Sequence, residues 1–272
     1  MVRSLWSAAT GMNAQQTNLD TIANNLANVN SMGYKTQVAQ FKSLLYQVLQ
    51  TKTTTANGDP KPTASQVGLG VRTSSINSIF TQGSFLMSES DTAFAIEGDG
   101  FFAVQGEDGN TYYTRNGDFT WAMNNGGGLI LTNMDGLPVL SSTGRTITLG
   151  PNYVANRVTV TGDGTICYPD ERNNPQSLGI TIGLYQFNNP GGLERQGNTL
   201  FAVSVASGEA INEANNNNVK PSRVVSGYLE GSNVQVADEM VNMIIAQRAY
   251  EMNARAITTT DEMMQTANNL KR

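Results

Sequence analysis

The sequence contains no histidine and one cysteine, Cys167. Without histidine there is no Ser-His-Asp or Cys-His nucleophilic centre, no His-ligated zinc and no facial-triad iron. A single cysteine excludes an intramolecular disulfide and any cysteine cluster for metal or redox chemistry. Its setting, TICYP, is strand-like and suits a buried small apolar residue better than a nucleophile. Charge is also scarce. Asp, Glu, Lys and Arg are 14% of 272 residues, so the surface must be carried by Asn, Thr, Ser, Gln and Gly. A net charge of −5 with no basic cluster argues against nucleic acid as a partner. No apolar run approaches the roughly 18 residues of a membrane-spanning helix. The N-terminus lacks the continuous apolar core and A-x-A site of a secretory signal, which by itself points to the cytoplasm.

What is present is organised around the two ends. From about Val234 the chain has no Pro or Gly and is rich in helix formers. About 36 residues at 1.5 Å each make a rod of roughly 54 Å. Ile245, Ala249, Met252, Ala256, Met263 and Leu270 recur at steps of three, four or seven, with Thr259 and Thr266 between them. That stripe is narrow, like a coiled-coil seam. Asp238 and Glu239 open the helix and Lys271 and Arg272 close it, the polarity a helix dipole favours. Arg248, Glu251 and Arg255 are spaced to pair on an outer face. Residues 3–29 also lack Pro. Leu5, Met12, Leu19 and Leu26 repeat every seven, joined by Ala8, Ile22 and Val29. Gln15 interrupts this seam, and Gly11 costs about 1 kcal/mol relative to Ala. The opposite face is Asn, Gln, Thr and Ser, so it suits other protein surfaces better than bulk water. The two seams could meet in one chain as a helical hairpin or be satisfied by neighbouring chains.

Between the ends the pattern changes. ANVNSMGYK breaks the first helix, with Gly33 placed for a left-handed cap or turn. Residues 34–50 carry apolar residues at near-helical spacing but with β-branched and aromatic content, so helix and strand both stay open. Residues 51–66, TKTTTANGDPKPTASQ, are Thr-, Pro- and Gly-rich and read as an extended or flexible excursion. From about Val67 to Ser226, short β-type runs alternate with Asp-Gly and Asn-Gly turns, the cadence of an antiparallel β domain. The predicted class is α+β: terminal helices forming a coiled-coil-like shaft domain, and a central all-β domain of short antiparallel strands. The expected division is 1–33 plus 228–272 for the helices, 34–78 for a connecting segment and 79–227 for the β domain.

Candidate chemistry is thin. Asp99, Asp108, Asp118, Asp135 and Asp163 stand beside glycines, which suggests calcium or glycoside chemistry. None lies in an EF-hand frame, and Asp-Gly at hairpin tips has a conformational explanation. GLG at 68–70 is not followed by the rest of a dinucleotide fingerprint. Phe101, Phe102, Tyr112, Tyr113, Phe119 and Trp121 alternate along strands and suit a core better than a sugar-stacking surface. No catalytic, cofactor or metal site is expected.

SLWSAATGMNAQQTNLDTIANNLANVNSMGYK closely resembles the N-terminal signature of the flagellar axial proteins, the rod and hook family. GYLEGSNVQVADEMVNMIIAQRAYEMNARAITTTDEMMQ resembles their C-terminal segment, and AIEGDGFFAV and YTRNGDF resemble their β domain. The Asn run at 215–218 stands outside the resemblance. The RSLW opening, the length and the polar stretch after the first helix resemble rod members at the far end of the shaft, with proximal rod and hook members as alternatives. The resemblance implies a non-enzymatic subunit that polymerises with itself into a hollow shaft, its terminal helices lining the inner tube. It implies export through the flagellar type III apparatus without a cleaved signal, and an extracytoplasmic, periplasmic place in the basal body. Implied partners are proximal rod proteins, hook or hook-junction subunits and, where an outer membrane exists, ring proteins. It implies self-assembly through the seams named above, and a rigidifying inter-subunit stretch including Thr51, Gly58, Pro60, Pro62 and Gln66. Two readings of other classes stand beside it: a carbohydrate-binding β module on a stalk, and a calcium-dependent hydrolase using Asp99 or Asp163.

Overall fold

The computed structural model describes residues 2–50, 65–124, 126–170, 172, 174–216 and 219–270. The chain is α+β, with a long helix at each end and antiparallel strands between. It divides into two compact units. The first contains Met1–Ala27, Gln37–Asn77 and Gln235–Arg272, and the second contains Asn28–Thr36 and Ser78–Val234. Most of the stretch expected as a connector therefore groups with the terminal helices.

The first unit holds α1 (Val2–Ala27), β1 (Gln37–Ser43), β2 (Tyr46–Gln50), β3 (Ser65–Gly68), β4 (Val71–Ser78) and α2 (Val236–Asn269). The 34–50 stretch resolves as strand. In QVAQFKS, Ala39 and Phe41 turn inward while Gln40 and Lys42 stay exposed, a period of two that no helix supports. β1 lies beside β4. β2 pairs antiparallel with β3, with Val48 opposite Gln66. Gln66 is thus a strand residue, while Thr51, Gly58, Pro60 and Pro62 lie outside the described residues. Leu45, Tyr46, Val48, Leu49, Val67 and Leu69 are all exposed around this hairpin.

α1 stops at Ala27, and Val29, expected on its seam, lies in the turn beyond it. Asn28 explains the stop. Its carbonyl accepts the Ser31 amide at 3.2 Å and its side chain accepts from the Ser31 hydroxyl at 3.0 Å, local bonds that compete with helix continuation. Gly33 has φ +69° and belongs to this turn rather than to a helix cap. A Cβ there would run into the Asn116 backbone.

The second unit contains β5 (Phe85–Met87), β6 (Phe94–Glu97), β7 (Phe101–Gln105), β8 (Thr111–Thr114), β9 (Phe119–Met123), β10 (Leu129–Asn133), β11 (Thr148–Leu149) and β12 (Thr159–Val160). It continues with β13 (Thr165–Pro169), β14 (Pro175–Thr181), β15 (Leu184–Gln186), β16 (Glu194–Gln196), β17 (Leu200–Ala202), β18 (Ile211–Asn212), β19 (Arg223–Ser226) and β20 (Tyr228–Glu230). The largest sheet runs β16-β17-β8-β7-β15-β18. Its strand β7, FFAV, is buried on both faces. Phe102 and Val104 enter one apolar cluster with Ile96, Phe119, Leu131, Ile147 and Ile166. Phe101 and Ala103 enter another with Tyr113, Phe187 and Phe201.

Edge-to-face ring contacts tie each cluster, such as Phe102–Phe119 at 5.1 Å and Phe101–Phe187 at 5.4 Å. The aromatic residues of these strands are therefore core, with Tyr112 and Trp121 packed on its margin. Cys167 is buried in β13. The Asp-Gly tips show the conformational role: the Asp108 carboxylate accepts from the Asn110 amide at 3.2 Å and the Tyr112 hydroxyl at 2.9 Å, while Gly109 takes φ +79°.

Candidate self-assembly surface on the terminal helices

α1 and α2 pack antiparallel, and two contacts separated by equal steps in opposite directions along the two helices fix the register. A Cβ on Gly11 would lie 2.9 Å from Asn253 Nδ2, so the glycine that weakens α1 locally is what lets α2 come close. Fourteen positions along, Asn25 Nδ2 donates to Glu239 Oε1 at 3.2 Å. Asn25 also donates to the Gln37 carbonyl at 2.8 Å and accepts the Gln37 amide at 2.9 Å. One amide side chain thus joins α1, β1 and α2, matching Gln37 in the manner of a paired strand.

The shared seam is small and polar. On α1 the buried residues are Ala8, Ala14, Thr21, Ile22 and Asn25; on α2 they are Glu239, Ala246 and Thr260. Buried threonines are tolerated because their hydroxyls bond their own helix: Thr21 to the Thr17 carbonyl at 2.8 Å, and Thr260 to the Ala256 carbonyl at 2.6 Å. Met243, Asn253, Ile257 and Met264 continue the α2 side as half-buried residues. Burial pushes the Glu239 carboxyl above the ordinary glutamate range; the Asn25 bond opposes this and Asp238 adds to it.

The structure places the expected α1 seam residues Leu5, Met12, Leu19 and Leu26 half-buried and Ile22 fully buried. On α2 the expected stripe is not the one that meets α1. Ile245 is 61% exposed, Met252 65%, Met263 54% and Leu270 84%, Ala256 is exposed, and Ala249 is half-buried. α2 therefore carries two stripes at the same spacing, displaced by one residue around the helix. The fully buried residues of the inner one are Glu239, Ala246 and Thr260, with Met243, Ile257 and Met264 half-buried beside them, and the outer one exposes Ile245, Met252, Met263 and Leu270. Val241 and Ile244 enlarge the outer face, and Trp6 of α1 is exposed as well. Arg248 and Glu251 pair at 3.0 Å on the surface, worth little by itself.

Sequence reasoning missed a buried ionic centre in the second unit. Lys35 Nζ meets Glu230 Oε1 at 2.6 Å, and Arg115 Nη1 meets Glu230 Oε2 at 3.3 Å, all essentially without exposure. Lys35 also donates to the Thr81 carbonyl at 2.8 Å, Gly83 N–H to Glu230 at 2.9 Å, and Arg115 to the Gly98 carbonyl at 2.7 Å. The Arg115 guanidinium lies 5.1 Å from the Phe101 ring centroid. Burial lowers the pKa of Lys35 and of Arg115, with Glu230 the chief opposing influence on both. One carboxylate thus serves two cations and joins segments from opposite ends of the sequence. The available signal was isolated charge in apolar, glycine-rich surroundings: MGYK, YTRNGD and YLEG.

Residues 5–35 match the family described as flagella basal body rod protein, 95–168 the D1 domain of flagellar hook protein FlgE/F/G, and 225–270 the C-terminal region of the flagellar basal body rod FlgEFG proteins. The flagellar basal-body rod protein FlgG of Borreliella burgdorferi is 41% identical over 100% of both chains. That of Buchnera aphidicola subsp. Schizaphis graminum is 39% identical over 97% of this chain and 98% of its own. That of Bacillus subtilis is 35% identical over 100% of both. Similarity at this level and over this length, together with helices at both ends flanking an antiparallel β unit, leads to one assignment. The chain belongs to the flagellar basal-body rod protein family.

Proposed function

We propose that the chain is a structural subunit of the distal rod, polymerising helically into a hollow shaft that transmits torque to the hook and passes export substrates. The observation that carries this reading is the outer stripe of α2. A helix already packed on α1 keeps Ile245, Met252, Met263 and Leu270 open to solvent at regular spacing, which is what a neighbouring helix in a polymer requires. In that polymer the helices pack in coiled-coil fashion, α1 presenting its Asn- and Gln-rich face and α2 its apolar one.

The chain is its own principal partner. Proximal rod subunits lie below it, hook or hook-junction subunits lie above it, and ring proteins surround it where an outer membrane is present. It reaches this extracytoplasmic place through the flagellar type III export apparatus. Residues 51–66, with Thr51, Gly58, Pro60, Pro62 and Gln66, brace neighbouring subunits and stiffen the tube.

Negative-stain electron microscopy at rising protein concentration tests the proposal. Straight, stiff tubes are expected, and Ile245→Ser with Met252→Ser is expected to abolish them while leaving the monomer folded. Curved or supercoiled tubes would move the assignment to the hook. Tubes formed unchanged by the double variant would remove the outer stripe from the account.

A further inference from the structure

The outer stripe of α2 carries sulfur as well as apolar surface. The chain has one thiol, Cys167, and it is buried. The sulfur open to solvent is therefore thioether. Met252 is 65% exposed and Met263 54%, and they lie about three turns apart on the stripe that also holds Ile245 and Leu270. Met264, next in sequence, is half-buried on the inner side, as is Met243. The helix around Met263 has no hydroxyl to spare. Thr259 and Thr260, one turn before it, donate to the Arg255 carbonyl at 3.0 Å and the Ala256 carbonyl at 2.6 Å. Thr266, one turn after it, donates to the Glu262 carbonyl at 2.9 Å, and Ala267 is apolar. Met252 differs, with Arg248 and Arg255 one turn away on either side.

We infer that Met252 and Met263 are oxidation sites at which peroxide blocks assembly of the chain, with the larger effect at Met263. The inference rests on the distal-rod reading, in which the outer stripe meets a second copy of the chain. In the step, the methionine Sδ attacks one peroxide oxygen. The O–O bond breaks, an S–O bond forms, and the other oxygen leaves as water. Sulfur gives up two electrons and the peroxide takes them. A flexible apolar side chain thereby becomes a polar one. In the monomer the new oxygen stays hydrated, and neither methionine belongs to the seam with α1. Against a neighbouring apolar helix the oxygen at Met263 loses water and finds no donor within one turn of its own helix, which penalises the polymer. At Met252 the flanking arginines can bond it, so the penalty is smaller. The modification thus acts on assembly and spares the fold.

The test treats the monomer with hydrogen peroxide, removes it, and measures by sedimentation the concentration at which polymer appears. Peptide mass spectrometry reads the oxygen gained at each methionine. Sulfoxide is expected at Met252 and Met263 ahead of Met243 and Met264. It should raise the assembly concentration about tenfold, the scale of one polar group buried unpaired. Met263→Leu should recover most of the loss, and Met252→Leu with Met263→Leu all of it, because leucine keeps the apolar volume without the sulfur. Reduction by the two epimer-specific methionine sulfoxide reductases should restore assembly of the oxidised chain. An untreated chain that forms no polymer would remove the distal-rod reading and this inference with it. Polymer formed equally well from chain oxidised at both positions would overturn the inference alone. So would equal loss of assembly in the oxidised double variant, which would move the effect to Met87, Met123 or Met134, all exposed on the β unit.

Discussion

The β core and the helix seam of this chain are closed by different kinds of residue. In the β unit, Phe, Ile, Leu and Val fill two clusters on either side of β7, and the Lys35–Glu230–Arg115 centre within it is sealed. In the helix pair the fully buried residues are mostly Ala and Thr, with Ile22, Asn25 and Glu239, while Ile244, Ile245, Met252 and Met263 remain exposed. Burial of apolar surface, at about 25 cal/mol per Å², therefore contributes differently in the two. The β unit has fully buried its large side chains, whereas the large side chains of α2 are half-buried or exposed. The β unit closes on its own side chains, whereas α2 leaves an apolar face exposed.

The comparison is broken most severely at Glu230. Glu230→Gln leaves Lys35 and Arg115 as buried cations without their shared anion, and loss of one partner from a buried ionic cluster costs about 3–5 kcal/mol. Urea denaturation of the variant should show that loss in the tyrosine-rich β unit. A loss below about 1 kcal/mol, the value of an exposed pair, would mean that the centre does not hold the unit together.

A smaller effect is expected at Gly11. Gly11→Leu adds a branched side chain where even a Cβ reaches Asn253, and forced overpacking costs about 1–3 kcal/mol. Helicity by circular dichroism should melt earlier while the β unit is unaffected. A helix pair strengthened by the better helix former would contradict the close crossing at this point.

The smallest effect concerns Glu239, whose carboxyl is held above the ordinary glutamate range mainly by burial. A raised pKa in the folded state means that the folded chain holds the proton more tightly than the unfolded chain. Stability from this group is therefore full below the unfolded value and is lost as pH rises through the folded one. The helix pair should melt at a slightly lower temperature at pH 7 than in the acid window just above the ordinary glutamate value of 4.5. Glu239→Gln should remove that dependence. A pH profile identical in the variant would assign the effect elsewhere.

Much of this architecture is legible in the sequence because its signals are local. The absence of Pro and Gly after Gly231, the Asp-Gly cadence and the doubled Phe of β7 each report on their own neighbourhood. Four features were not legible, each for its own reason. The face of α2 that meets α1 is built from Glu239, Ala246, Asn253 and Thr260, so a search for large apolar residues finds the other stripe. The Lys35–Glu230 pair joins residues 195 apart, which no periodicity reveals. Residues 34–50 mix spacings because β1 is inward on one face only and β2 is exposed. Val29 was lost to the helix through the turn chemistry of Asn28, a side-chain effect stronger than the seven-residue repeat.

The most direct test of the central claim is hydrogen exchange measured on monomer and polymer, resolved between the two regions. Amides of β6–β9, sealed within one chain, should be protected equally in both forms. Amides of α1 and α2 should exchange quickly in the monomer and become strongly protected in the polymer, since isolated helices draw their stability from packing. Equal protection of the helices in both forms would show that the helix pair is already complete, and would contradict the account.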